Sequence, residues 1–257
     1  MTIEAPPGLI VGFVLALVRA SAFVAIAPPF ATKGIPSQVK VGLAGGLALA
    51  AAPRLQDAAP PVDVGSLIGA IVTQVFIGLT LGFLTMLLFT AVQAAGDLID
   101  LMGGLSIAQL IDPISQNHSS VFGRFYSLLA VTLLFAVDGH LLMVRGFMHS
   151  FDVVSLSLPP VEEVSGLFIR SLGSFMVAAI EIGIPILGAL FVAEVALGLL
   201  ARVAPQMNVF IIGMPFKVML TFLLAGAALP LLPGGVSSMV ESGVRSGAEF
   251  LRMVGPG

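Results

Sequence analysis

Cysteine and tryptophan are absent from this chain of 257 residues, tyrosine occurs once, and only 10% of the residues are charged. Without cysteine there can be no disulfide framework, no CxxC redox site and no thiolate nucleophile, and cysteine usage says nothing about compartment. The scarcity of charge excludes an ordinary soluble domain. Such domains are ~45–50% apolar with glycine counted and ~25% charged, whereas this chain is 58% hydrophobic with its 29 glycines left out of the count. Together with a mean hydropathy of +1.10, that makes it a polytopic membrane protein. Trp and Tyr usually anchor such proteins at the headgroup level, so an aromatic belt does not position this one.

A net charge of −3 offers no basic surface for nucleic acid. No run of lysine or arginine provides the polybasic attraction that anionic lipid exerts on juxtamembrane segments. Met1 to Gly8 carries Glu4, Pro6 and Pro7 and no basic residue, unlike the positive start of a cleavable signal, so the first apolar run is expected to be retained.

Long apolar windows fall at about 9–31, 39–52, 67–95, 121–149, 167–200 and 207–232, against the ~20 residues that a spanning helix needs. They are uneven. The second would rise only about 21 Å as a helix. The fifth is too long for one straight span and carries Gly183, Pro185 and Gly188, which predicts a kink or break. Asp138-Gly139-His140 predicts a turn or polar break in the fourth. Prolines punctuate the segment ends, and basic residues are scattered enough to leave only a weak orientation signal. Residues 236–254 pattern as a mildly amphipathic helix ending near Gly255-Pro256-Gly257. The expected fold is therefore all-α, with short and broken helices and helical hairpins.

Gly-xxx-Gly spacing recurs at Gly8/Gly12, Gly42/Gly46, Gly65/Gly69, Gly78/Gly82 and Gly243/Gly247. Such pairs let helix backbones approach closely, either inside this chain or against other subunits. Arg19, Glu181 and Glu194 lie inside apolar windows, where a charge predicts a functional or a buried, paired site. Glu181 and Glu194 are thirteen residues apart. On one straight helix they would differ by about 220° and roughly 20 Å, so they pair only if the segment folds back at Pro185.

Catalytic patterns are missing. His118, His140 and His149 lack HExxH or i,i+4 metal-ligand spacing, so no metal and no cofactor is expected. Ser37-Gln38-Val39-Lys40 fits S-x-x-K without the SDN or KTG that accompany it in Ser–Lys hydrolases. Asn117-His118-Ser119 is a bare glycosylation sequon, and no P-loop is present. Any energy source comes from another protein or an ion gradient.

Two stretches stand apart. Residues 96–113 exit a helix with Asp97 and Asp100, reverse at Gly103-Gly104, and continue through an apolar segment closed by Asp112-Pro113. This is either an interfacial loop capping the chain's own core or a loop that enters a lumen and blocks it. The second stretch, Arg202 to Lys217, sets a proline-bounded polar turn between two strongly apolar helices. It reads as a helical hairpin with Arg202, Pro205, Gln206, Asn208, Pro215 and Lys217 near its tip.

The wording of the second stretch, R-x-x-P-Q-M-N-V-F-x-x-G-x-P-x-K, resembles the FliR/SctT family of export-gate proteins of bacterial flagellar and virulence type III secretion. Residues 97–113 and the Pro36-x-x-Val39-Lys40-x-Gly42-Leu43-Ala44 start of the second segment support it. Pro-Gln-Met-Asn-Val-Phe looks flagellar rather than virulence-type. The resemblance implies a non-enzymatic structural subunit in the bacterial inner membrane and flagellar basal body. Its partners would be FliP and FliQ in the core gate, FlhB, FlhA and the basal-body ring, membrane lipid, and unfolded substrates in transit. It further implies a FliP-like part over 1–165, a FliQ-like hairpin over 166–235 and a tail over 236–257. The channel plug maps to Gly103, Gly104, Leu105, Ser106, Ile107, Ala108, Gln109 and Leu110. Family members often carry phenylalanine there, where this chain has Ile107 and Leu110. A virulence-type gate subunit and a proton-coupled secondary transporter using Glu181 and Glu194 are the alternatives.

Overall fold

The computed structural model describes residues 7–32, 34–56, 63–106, 120–153 and 161–254. They form eight α-helices, a 3₁₀ turn and no strand. The helices are α1 (Pro7–Ile26), α2 (Ser37–Leu55), α3 (Val64–Gly103), α4 (Val121–Ala136), α5 (Gly139–Val153), α6 (Val161–Val203), α7 (Val209–Ala228) and α8 (Leu232–Val254). Proline opens α1, where its missing N–H is an orphan in any case. Asp63 caps α3 through its carboxylate, which accepts from Gly65 N at 2.8 Å and Ser66 N at 3.1 Å. Hydrogen bonds from Ser66, side chain first and then backbone, hold that carboxyl below its ordinary range.

Four stretches are long and apolar enough to cross a membrane: Gly8–Ile26, Val64–Gly103, Glu162–Val203 and Val209–Met253. The broken pair α4 and α5 would make a fifth. Six windows therefore do not become six equal rods. The helix built from the second window runs over 19 residues but is not among the spans. α3 and α6, at 40 and 43 residues, have about twice the length a span requires.

The expected interruption at Asp138 is present. Asp138 takes φ 55°, a left-handed conformation that Asp tolerates better than most residues, and its carbonyl accepts from Leu141 N at 3.0 Å as α5 begins. Of the kink or break expected in the fifth window, the break is absent. α6 is continuous through Pro185, because one lost i−4 bond leaves the ladder intact on both sides. Pro185 also stands on an uncovered face, away from the buried stripe Ala179, Gly183, Ile186 and Leu190. Glu181 and Glu194 accordingly remain on one continuous helix and do not pair.

The chain divides into two compact units that interleave along the sequence: 1–88, 138–172 and 240–257 in the first, 89–137 and 173–239 in the second.

In the first unit α2 contributes the stripe Ala44, Ala48, Ala51 and Leu55, spaced for one helix face, and α1 packs against it. Gly12 allows that approach, since a Cβ there would lie 3.0 Å from Ala52 O. Further along α1, a Cβ on Gly78 would collide with Arg19 O, and one on Gly82 would lie 3.2 Å from Phe23 O. This Gly-xxx-Gly pair is an internal contact of α1 with α3. Gly42, Gly46 and Gly69 face open space. Phe23 stacks on Phe147 at 4.6 Å, and α8 adds Phe250 and Leu251 to the core. The tail is amphipathic as expected, with Val240, Phe250 and Leu251 buried, although Val244 is exposed.

The core of the second unit is built from Ala91, Ala95 and Ile99 of α3, from Phe122, Tyr126, Ala130 and Leu134 at i,i+4 steps on α4, and from Ile186 and Leu190 of α6.

Candidate functional site

The residues on either side of 107–119 are tied together in the second unit. α3 ends at Gly103, and Gly104 takes φ 82°, the left-handed conformation that glycine adopts without penalty at a helix C-terminus. The carbonyl of Asp100 accepts from Leu105 N at 3.1 Å and Ser106 N at 3.4 Å, which closes the end of the helix. Its side chain works across the gap. The Asp100 carboxylate accepts a hydrogen bond from the Ser120 hydroxyl and another from Phe122 N at 3.1 Å. Ser120 Oγ in turn accepts from Gly123 N at 2.8 Å, the capping pattern that Ser favours before a helix.

A buried carboxylate from the end of one helix thus sits at the N-terminus of the next, where orphan N–H groups and the helix dipole favour negative charge. Asp100 is 1% exposed, and its second oxygen is buried without a hydrogen-bond partner among the described residues. Three glycines make the closeness possible. A Cβ on Gly96 would lie 2.5 Å from Phe122 O, one on Gly123 would overlap the Asp97 carboxylate, and one on Gly103 would lie 2.5 Å from Thr221 Oγ1 of α7. Gly103, Gly104, Leu105 and Ser106 of the expected plug loop therefore belong to a well-packed anchor. Ile107, Ala108, Gln109 and Leu110 lie outside the described residues, as do His118 and the sequon at Asn117.

A helical hairpin is present here. α6 stops at Val203, the chain turns through 204–208, and Asn208 caps α7 by accepting from Ile211 N at 3.3 Å. Arg202, Pro205, Gln206 and Asn208 stand exposed around the turn. Pro215 lies inside α7. Lys217 lies two residues beyond Pro215, more than two turns into the helix, where it forms an ion pair with Glu194 of α6 and so joins the two arms of the hairpin.

The three charges expected to be buried part company. Arg19 is fully buried in the first unit. Its Nε donates to Gln74 Oε1 at 2.6 Å, and its Nη1 donates to Ser150 O at 2.7 Å and Ser150 Oγ at 3.0 Å. The guanidinium also lies 4.2 Å from the centre of the Phe151 ring, a cation–π geometry. Among the described residues Glu181 and Glu194 stand exposed on α6, and Glu194 is paired with Lys217.

Residues 10–243 match the family described as bacterial export proteins, family 1. The chain belongs to this family. Among its relatives, the flagellar biosynthetic protein FliR of Pectobacterium carotovorum subsp. carotovorum is 34% identical over 84% of this chain and 83% of its own. The FliR of Bacillus subtilis (strain 168) is 28% identical over 95% of both chains. The Yop proteins translocation protein T of Yersinia pestis is 29% identical over 63% of this chain and 64% of its own.

For this export-protein family member, sequence reasoning missed the anchor although its parts were in view. The sequence marks Asp97 and Asp100 only as polar residues at a helix exit. The usable signal was Ser120 in the N-cap position before the apolar run of α4, but nothing local pairs it with an acid twenty residues upstream. The roles of Gly96, Gly123 and Thr221 depend on which helices meet, and no spacing announces them.

Proposed function

We propose that this chain is a structural, non-enzymatic subunit of the flagellar type III protein export gate. It assembles with FliP and FliQ in the bacterial inner membrane, beside FlhB, FlhA and the basal-body ring, into the channel through which unfolded flagellar substrates pass. The match over 10–243 carries this reading. The flagellar system is preferred to a virulence system because the two FliR relatives above align over 84% and 95% of the chain, and the Yersinia protein over 63%. The many large apolar side chains left uncovered on α6 and α7 support a subunit packed among other helices.

Within that gate, the segment starting at Gly103 serves as the apolar plug of the resting channel, and the Asp100 anchor holds its base. Deleting Gly104–Leu110 should raise ion leakage through cells that express the complete gate. Unchanged leakage would remove the plug role, while failure of the chain to co-purify with FliP and FliQ would remove the gate reading itself. A proton-coupled carrier draws less support: it calls for a broken helix and buried acids, whereas α6 is continuous and Glu181 and Glu194 stand exposed.

A further inference from the structure

From residue 173 onward α6 belongs to the second unit, and there it carries an acid where acids are expensive. Glu181 stands near the midpoint of this 43-residue apolar helix. It is exposed, and Val177, Ile180 and Ile184 around it are 55%, 48% and 58% exposed. Among the described residues it forms no ion pair. Glu194 on the same helix is answered by Lys217 of α7. That lysine does not serve Glu181, because thirteen residues of helix turn the two acids about 220° apart. An uncompensated carboxylate against hydrocarbon is costly, and acids in spanning segments face a bundle interior or a water-filled cavity.

The surroundings of Glu181 decide between those two. Val177, Glu181, Ile184, Gly188, Phe191 and Val195 are all exposed, and their spacing alternates four residues and three. That is the heptad spacing of a seam between two helices. The seam lies opposite the stripe Ala179, Gly183, Ile186 and Leu190 that α6 buries within this chain. At Gly188 a Cβ would meet nothing within 4 Å, which leaves room for a second backbone to come close. A wall wetted by water would carry polar side chains, whereas this seam is apolar except for its single acid. A second copy of the chain is a poor occupant. Two such seams in parallel would set one Glu181 against the other, and like charges repel. In antiparallel they would set Glu181 against the apolar Phe191 and leave the charge unanswered.

We propose that this face of α6 docks one apolar helix of another subunit of the gate, and that a lysine or arginine of that helix pairs with Glu181. The apolar positions supply the packing. The acid fixes the register, since a charged group in an apolar seam is satisfied only where its counterpart lies opposite. The proposal rests on the gate reading and adds to it the face that is used and the charge its partner brings.

The test uses the complete gate, isolated from membranes with FliP and FliQ. Glu181→Lys should lower the yield of this chain in the complex by about tenfold, because it sets like charges together in a buried contact, and Glu181→Gln should lower it less. A photo-cross-linker in place of Ile184 should capture a peptide of another gate subunit that carries lysine or arginine within about one helical turn of the joined residue. Changing that basic residue to Glu should restore the yield of Glu181→Lys. Normal yield of either variant, no rescue by the exchanged charge, capture of lipid or of a second copy at position 184, or a captured peptide without a basic residue would each overturn the proposal while the unaltered complex still forms. The cross-link is read on a chain that keeps Glu181, so it decides the question even where Glu181→Lys does not accumulate. Failure of the unaltered chain to co-purify with FliP and FliQ would remove the gate reading and the proposal together.

Discussion

Asp100 and Gly78 show how single residues carry consequences out of proportion to their size. Asp100 accepts hydrogen bonds from Ser120 and Phe122 while almost wholly buried. Removing such an acceptor strands its donors, at a cost of about 1–3 kcal/mol. Asp100→Ala should lower the thermal stability of the purified protein by that order and raise ion leakage in cells carrying the complete gate. Asp100→Asn, which keeps one acceptor oxygen in place, should lose less of both. At Gly78 any side chain meets the backbone of α1 at Arg19, and overpacking of a tight contact costs roughly 1–3 kcal/mol. Gly78→Ala should reduce accumulation and thermal stability, whereas Gly69→Ala, facing open space, should leave both unchanged. The Gly-xxx-Gly spacing was visible in five places along the chain. Which pairs close a helix contact was not, because spacing records only that approach is allowed.

For the elements, the hairpin of α6 and α7 offers the clearest experiment. Its arms are joined by the Lys217–Glu194 ion pair, in which Lys217 is largely covered and Glu194 more than half exposed. An exposed pair of this kind contributes about 0.2–1 kcal/mol. Lys217→Glu should destabilise the hairpin by somewhat more, through repulsion, and weaken co-purification with FliP and FliQ. The double variant Lys217→Glu/Glu194→Lys should restore most of the loss. If the double variant is no better than the single one, the pair does not hold the arms. The turn itself was legible, since Pro205 and Asn208 specify where α6 must stop and α7 can start. The continuity of α6 was not. Pro185 removes one backbone hydrogen bond in either case, and whether the helix yields depends on the packing of Ala179, Gly183, Ile186 and Leu190 along its other face.

Across the whole molecule, the most consequential feature is apolar surface that the chain does not cover. Met176, Phe191 and Val192 of α6 and Phe210 and Leu223 of α7 are each more than half exposed. Lipid supplies no hydrophobic drive to associate these helices, but the partner helices of the proposed gate would bury them with close packing, and binding stabilises a folded subunit by mass action. Expressed alone, the chain should accumulate in membranes several-fold less than when co-expressed with FliP and FliQ, as measured by immunoblot of membrane fractions. Equal levels would show that the exposed faces need no partner.

The sequence by itself determined that this is an all-helical membrane protein of the export family, and where its turns fall. Hydropathy, proline and capping residues act locally, and the family wording lies in one continuous stretch. Only the tertiary structure decided that Arg19 is buried while Glu181 and Glu194 are exposed, and that Asp100 reaches across to Ser120. Each of these depends on which helix faces meet, and burial and pairing are properties of the contact between elements, not of any one of them.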